Sequence, residues 1–74
     1  MRIFDDRIVR LLDEAMKAPG EGHRLAASAL VRLLRSGRTE AAALDELAAD
    51  LAKRWGPEVK AYFHELCRKA GLCN

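Results

Sequence analysis

The residues of this chain that could carry chemistry are His64, Cys67 and Cys73, which lie close together in the sequence. His64 and Cys67 are spaced i, i+3, and Cys73 follows six residues later. Imidazole and thiolate groups suit zinc or iron, but a structural zinc site needs a fourth ligand. The helical periodicity predicts that His64 faces solvent and that Cys67 flanks the buried side. The favoured interpretation is a surface histidine and a packed thiol, with no metal or cofactor. The alternative is a small thiol- or metal-linked regulatory protein that uses this cluster.

The other candidate segments lack the residues that catalysis requires. Residues 20–23, Gly-Glu-Gly-His, have neither the Lys nor the Ser or Thr of a phosphate-binding loop, so His23 is expected on the surface. The carboxylate pairs at 13–14 and 45–46 are adjacent in sequence and therefore diverge on a helix. A bundle of this length is also expected to lack a ligand pocket of the usual volume. We therefore expect a protein that is not an enzyme.

Length and composition set the class of protein. The chain has 74 residues, of which 50% are hydrophobic, and 13 Lys or Arg against 11 Asp or Glu give a net charge of +2. This length fits one helical domain over residues 1–74, and a chain so short often gains stability from a partner. The net charge is too small to indicate a nucleic acid or a membrane surface as that partner.

The N-terminal residues and the cysteines indicate the compartment. Ile3 and Phe4 are followed at once by two aspartates, which does not form the apolar core of a signal peptide. Two cysteines do not make a disulfide framework. The sequence predicts a cytoplasmic protein with reduced thiols and no membrane contact.

Four segments show helical periodicity. Apolar residues recur at three- and four-residue spacing over about 4–17, 21–35, 40–55 and 57–70. No segment alternates as a half-buried strand would. The connections are short, which favours antiparallel or steeply crossing neighbours. The sequence therefore predicts an all-α protein, a compact three- or four-helix bundle.

Capping residues support the same helix bounds. Gly37 is predicted as a left-handed cap after the second helix, and Thr39 as the N-cap of the third. Pro57 suits the first position of the fourth helix. Gly71 followed by Leu72 matches a Schellman cap at its end. Agreement between periodicity and caps is what a sequence that specifies one fold should show.

The second helix has a wide apolar surface and a basic outer arc. Such width indicates contact with neighbours on two sides or with another chain. Residues 22–38 carry four arginines and no acid, whereas residues 39–50 carry four acids and no base. One interpretation is a pair of neighbouring helices with complementary surfaces. The other is that Arg24, Arg32 and Arg35, which share one arc, form a docking strip for an acidic partner.

Aromatic residues gather near the predicted corner between the third and fourth helices. Trp55 closes the apolar stripe of the third helix, and Gly56-Pro57 lead into the fourth. A packed corner is one interpretation; an interface anchor is the other, since aromatic residues dominate binding hot spots. The predicted interface combines apolar residues with an arginine rim: Leu30, Arg32, Leu34, Arg35, Trp55, Tyr62 and Phe63.

Nucleic-acid binding is a less favoured alternative. If the second and third helices formed a helix-turn-helix pair, the third helix would be the one that enters the major groove. Its four acids, Glu40, Asp45, Glu46 and Asp50, would then face phosphates. That arrangement is electrostatically unfavourable. A homodimeric bundle with weak nucleic-acid affinity is kept only as an alternative to a protein partner, and self-association is left open.

A further pattern links the second helix to the corner. Leu33-Leu34 end one helix, an acidic, alanine-rich helix follows, and a basic tail leads to Trp55, one residue and Pro57. Over about residues 26–63 this pattern resembles the delta subunit of soluble NAD-dependent formate dehydrogenases. The other matching positions are Ala43, Leu44, Leu47, Ala48, Leu51, Lys53, Val59 and Lys60.

Some positions depart from that family. Arg54, Gly56 and Glu58 stand where the family usually has an aromatic residue, an acid and Arg, and the segment through His23 has no counterpart. The resemblance implies a non-catalytic accessory subunit that supports a molybdenum- or tungsten-containing enzyme, so that a larger oxidoreductase subunit is the implied partner. It does not imply that this chain binds formate, NAD or the metal. We therefore expect a small helical protein that binds another protein, as an accessory or stabilising subunit of a larger enzyme complex.

Overall fold

The computed structural model describes residues 5–72, which form four α-helices and no strand. The helices are α1 (Asp6–Lys17), α2 (Glu21–Ser36), α3 (Ala41–Trp55) and α4 (Pro57–Lys69). The predicted all-α bundle is confirmed, and the observed helix bounds lie within two residues of the predicted ones. Phe4, where the first helix was expected to begin, lies outside the described residues, as does Cys73.

Local hydrogen bonds explain where α1 and α4 begin and end. The Asp5 carboxylate accepts a 2.9 Å hydrogen bond from the backbone N–H of Ile8, so Asp5 is the N-cap of α1. At the end of α4, Leu72 N–H donates to the Cys67 carbonyl and Gly71 N–H donates to the carbonyl two residues before the cap, at 2.9 and 3.0 Å. These two bonds define a Schellman motif, and Gly71 has a φ of 79°. The predicted cap is confirmed.

The connection between α2 and α3 differs from the prediction by one residue. Gly37 is the left-handed cap of α2, as expected, with a φ of 76°. The N-cap of α3 is Glu40 rather than Thr39, because the Glu40 carbonyl accepts the first helical hydrogen bond, from Leu44 N–H at 3.2 Å. The Arg38 guanidinium holds the Glu40 carboxylate at 3.0 Å. Hydrogen bonds from its own backbone and from Arg38 keep the pKa of the Glu40 carboxyl below its ordinary value.

Helices α2 and α4 form the centre of the bundle. α4 packs against α2 and α3, and α1 packs against α2, whereas α2 and α3 contact each other less extensively. The Arg7 guanidinium also donates to the Ala70 carbonyl at 3.3 Å, which ties α1 to the end of α4. Phe63, Leu30 and Cys67 are the largest fully buried side chains of the core. The wide apolar surface of α2 is therefore covered by three neighbouring helices within the chain.

None of the four helices is both long enough and apolar enough to cross a membrane, within the residues described.

Candidate protein-binding surface

Three arginines of α2 form one row on the outside of the bundle. We define the α2 strip as Arg24, Ser28, Arg32 and Arg35, all of which are exposed. Their spacing of four, four and three residues places them on one face over about 16 Å of helix. Across residues 5–72, none of the three arginines has an ion pair or a side-chain hydrogen bond. The strip is therefore basic and uncompensated.

Three of the four acids between residues 40 and 50 lie beside bases that are not part of the α2 strip. Arg38 lies 3.0 Å from Glu40 and 3.9 Å from Glu46, and Arg54 lies 3.2 Å from Asp50. The interpretation that α2 and α3 have complementary surfaces therefore applies to Arg38, which follows α2, and not to the arginines within that helix. Exposed pairs such as these contribute under about 1 kcal/mol each.

Trp55 lies on the surface beside the α2 strip. Its side chain is 54% exposed, although it ends the apolar stripe of α3. It borders a depression of about 320 Å³ together with Arg24, Leu25 and Ser28. Gly56, with a φ of 102°, follows it and caps α3 while α4 begins at Pro57. The predicted corner is present, and its tryptophan is only partly covered by the chain.

A row of adjoining depressions follows the boundary between α2 and α3. Three surface depressions of about 320, 100 and 330 Å³ succeed one another there. The first two share Trp55, and the last two share Arg32. We define their union as the α2–α3 groove, which runs from Glu21 and Trp55 at one end to Ser36 and Arg38 at the other. The groove exists because α2 and α3 contact α4 more closely than they contact each other.

The predicted interface residues divide into two groups. Leu30, Leu34 and Phe63 are 0%, 2% and 0% exposed and belong to the core, so the chain offers no surface at these positions. Arg32, Arg35 and Trp55 are exposed, and Tyr62 is half-buried. The surface part of the predicted interface therefore comprises the arginine rim and Trp55, whereas Tyr62 lies apart from them, in a depression bordered by α1 and α4.

His23 is not the surface residue that the sequence indicated. Its ring stacks on Tyr62 with the ring centroids 3.8 Å apart, and its Nδ1 atom is buried without a hydrogen-bond partner in the described chain. Gly22, the second residue of α2, faces the same tyrosine ring. Nothing in the sequence signals this contact, because the stacked residues are far apart in the chain and the glycine resembles a loop residue.

The candidate metal ligands occupy different environments. His64 is exposed, as predicted, whereas Cys67 is 0% exposed and belongs to the core instead of flanking it. Cys73 lies outside the described residues. Between residues 5 and 72, no group of three or more His, Cys, Asp or Glu side chains is arranged to hold a metal ion.

Another depression lies on the opposite side of α3, against α4. It has a volume of about 700 Å³ and is bordered by Asp45, His64, Glu65 and Arg68, among others. The expectation that the chain lacks a pocket of the usual volume is wrong, because this space lies on the surface between two helices and not inside the core. Its Glu65 carboxylate pairs with Lys69 at 3.4 Å.

The chain is thus a small four-helix protein that has a half-exposed tryptophan beside an uncompensated basic strip. No protein-family model, no curated protein and no solved structure matches the chain. The resemblance to the formate dehydrogenase delta subunit therefore stays a prediction from the sequence.

Proposed function

We propose that this chain is a non-catalytic subunit that binds a larger protein through the α2–α3 groove. The observation that carries the proposal is Trp55, which is 54% exposed beside three arginines that have no partner in the described chain. Tryptophan and arginine are the residue types most enriched in binding hot spots. A large aromatic side chain left half in water gains free energy when a partner covers it.

The specific form of the proposal is an accessory or stabilising subunit of an enzyme complex. The resemblance to the formate dehydrogenase delta subunit supports this form, and it centres on Trp55 and Pro57 at the corner between α3 and α4. An oxidoreductase subunit is accordingly the proposed partner, and the cytoplasm, with reduced thiols, is the proposed setting. A chain of 74 residues also buries a limited core, so that a partner would add to its stability.

The test is purification of the chain from its native cells through a tag added at its own gene. We expect it to co-elute with one or more larger subunits at low and high salt, identified by mass spectrometry and sized by light scattering. Trp55→Ala should reduce the retained subunits at least tenfold. The matched control is Met16→Ala, because Met16 is 49% exposed on α1, away from the groove.

Retention of the subunits by Met16→Ala and their loss by Trp55→Ala would support the proposed surface. Replacing Arg32 and Arg35 together with Glu should weaken the same complex while leaving the circular dichroism unchanged, since both side chains are exposed. A wild-type chain that elutes alone at its monomer mass at both salt concentrations would refute the proposed function.

A further inference from the structure

We propose that the α2–α3 groove binds a single amphipathic helix of the partner, and that this helix carries an acidic flank along the α2 strip. The inference rests on the proposed function and specifies the chemistry of the partner.

The length of the groove matches a helix. The groove extends along α2, whose 16 residues span about 24 Å. A partner helix of four to five turns would fill it and present apolar residues at i, i+4, i+7 and i+11. An open channel between two helices is also the geometry in which a third helix packs.

The floor of the groove is apolar and incompletely covered. Leu25 and Leu47 are half-buried and border the central depression, and Trp55 borders it as well. These three side chains contribute apolar area that a partner can remove from water. Trp55 lies at one end, where it would serve as the anchor of the interface.

The charge of the groove is asymmetric. On the α3 rim, Arg54 pairs with Asp50, and Arg38 lies 3.9 Å from Glu46 while it also pairs with Glu40, so two arginines offset most of the acidic charge there. On the α2 rim, Arg24 and Arg32 have no ion-pair partner among residues 5–72, and Arg35 continues the same row. Glu21, at the start of α2, is the acid on that side within the described part of the chain, so the rim keeps a net positive charge. A helix in this groove is therefore matched when its acids lie on the flank toward α2 and its other flank is neutral.

The same features disfavour two other occupants. A nucleic acid would bring phosphates against the carboxylates of Glu46 and Asp50 and over an apolar floor. A second copy would have to supply an acidic flank from one of its own helices. α1 and α4 carry at least as many bases as acids, and on α3 Glu46 and Asp50 lie beside arginines of the same chain. An acidic amphipathic helix from a different chain is the occupant that fits.

The experiment selects helical peptides against the full-length chain. A library of 18-residue peptides is displayed on an alanine-rich scaffold in which two of every three positions are randomised. Peptides that bind the full-length chain are enriched at moderate salt. Binding of the synthesised winners is followed through the fluorescence of Trp55, which is the only tryptophan of the chain. We expect winners with apolar residues at helical spacing, an excess of Asp and Glu on one flank, and a blue shift of the Trp55 emission.

A charge-reversal pair tests the orientation. Arg24→Glu with Arg32→Glu should weaken binding of the winners at least tenfold. Lys53→Glu with Lys60→Glu makes the same change in net charge at exposed positions away from the groove, and should weaken it less than twofold. All four side chains are exposed, so circular dichroism should show both variants folded.

Several results would overturn the inference. These are failure to enrich any peptide, winners with neutral or basic flanks, and equal weakening by the two charge-reversal pairs. A concentration-dependent dimer whose formation alone shifts the Trp55 emission would identify a second copy as the occupant. Displacement of a winner by a 20-nucleotide thymidine strand would identify a nucleic acid. If the chain still co-purifies with larger subunits in any of these cases, the proposed function stands and only the chemistry of the occupant is wrong.

Discussion

Replacing Gly22 with alanine tests the contact between α2 and the Tyr62 ring. A Cβ atom at Gly22 would lie 2.8 Å from Cε2 and 3.0 Å from Cδ2 of Tyr62, and 3.7 Å from the nearest Val59 methyl group. The first two distances are shorter than carbon atoms tolerate, so the ring has to move. It cannot move freely, because its stacking partner His23 lies 3.8 Å away, centroid to centroid.

Two opposing effects set the magnitude. Alanine is more favourable than glycine inside a helix by roughly 0.5–1 kcal/mol. Forcing an extra carbon into a packed contact costs about 1–3 kcal/mol. The clash exceeds the helix preference, so we expect Gly22→Ala to lower the free energy of unfolding by about 1 kcal/mol. For a domain of this size the Tm should fall by about 4–8 °C.

The assay is urea unfolding followed by circular dichroism, in the wild-type and Tyr62→Ala backgrounds. Without the ring, Gly22→Ala should become neutral or stabilising, because only the helix preference is left. Gly37→Ala is the matched control. Gly37 has a φ of 76° and no atom within 4 Å of an added Cβ. Alanine at this position is strained in the backbone, so Gly37→Ala should destabilise both backgrounds equally, by about 1 kcal/mol.

Two results would refute the reasoning. One is a Gly22→Ala variant that is more stable than the wild type, since the close contact would then be absent. The other is an equal loss of stability in both backgrounds, which would show that the cost comes from the backbone and not from the Tyr62 ring.

Four further predictions concern the core, the caps and the polar contacts. Leu30→Ala should lower the free energy of unfolding by about 2–5 kcal/mol in a urea titration, because Leu30 is 0% exposed. Asp5→Ala should cost about 1 kcal/mol by removing the N-cap of α1, and hydrogen exchange should show faster opening of that helix. His23→Phe should raise the Tm, because it keeps the stacking and removes a buried nitrogen that has no partner in the described chain. Glu40→Gln should lower the Tm slightly at neutral pH, and its difference from the wild type should vanish in acid. The pKa of Glu40 is lowered in the folded state, so its contribution is present above the unfolded pKa and is lost as the pH falls through the folded one.

Each of these predictions has a contrary outcome. A small cost at Leu30 would mean that the core is loosely packed, and uniform exchange across the helices would mean that Asp5 does not cap α1. A lower Tm for His23→Phe would show that the nitrogen is satisfied. A Glu40→Gln difference that persists at low pH would assign the effect to the side-chain shape and not to its charge.

Local features of the fold could be predicted from the sequence. Gly37 and Gly71 end their helices as expected, because a left-handed residue after an apolar stripe is a signal contained within a few positions. Thr39 was predicted as a cap on the same kind of signal and is wrong by one residue. The ion pair between Arg38 and Glu40 belongs to the folded connection, and side-chain propensity does not report it.

The candidate surface could be predicted only in part. The row of arginines follows from helical spacing alone, and the exposure of Trp55 depends on how closely α2 approaches α3. Leu30 and Phe63 were expected at an interface because a wide apolar face fits either a partner or close neighbours within the chain. Periodicity does not separate these two cases. The stack of His23 on Tyr62 joins residues from two helices, and no short-range pattern encodes it.

The position of α4 in the bundle has a consequence for folding. Both α2 and α3 pack against α4, whereas α1 packs against α2. Without α4, the second and third helices would leave those apolar faces uncovered, and α1 would cover only α2. A fragment that ends before residue 57 should therefore be a substrate for chaperones and prone to aggregate. Docking of α4 covers both faces at once, so the bundle is completed by its fourth helix.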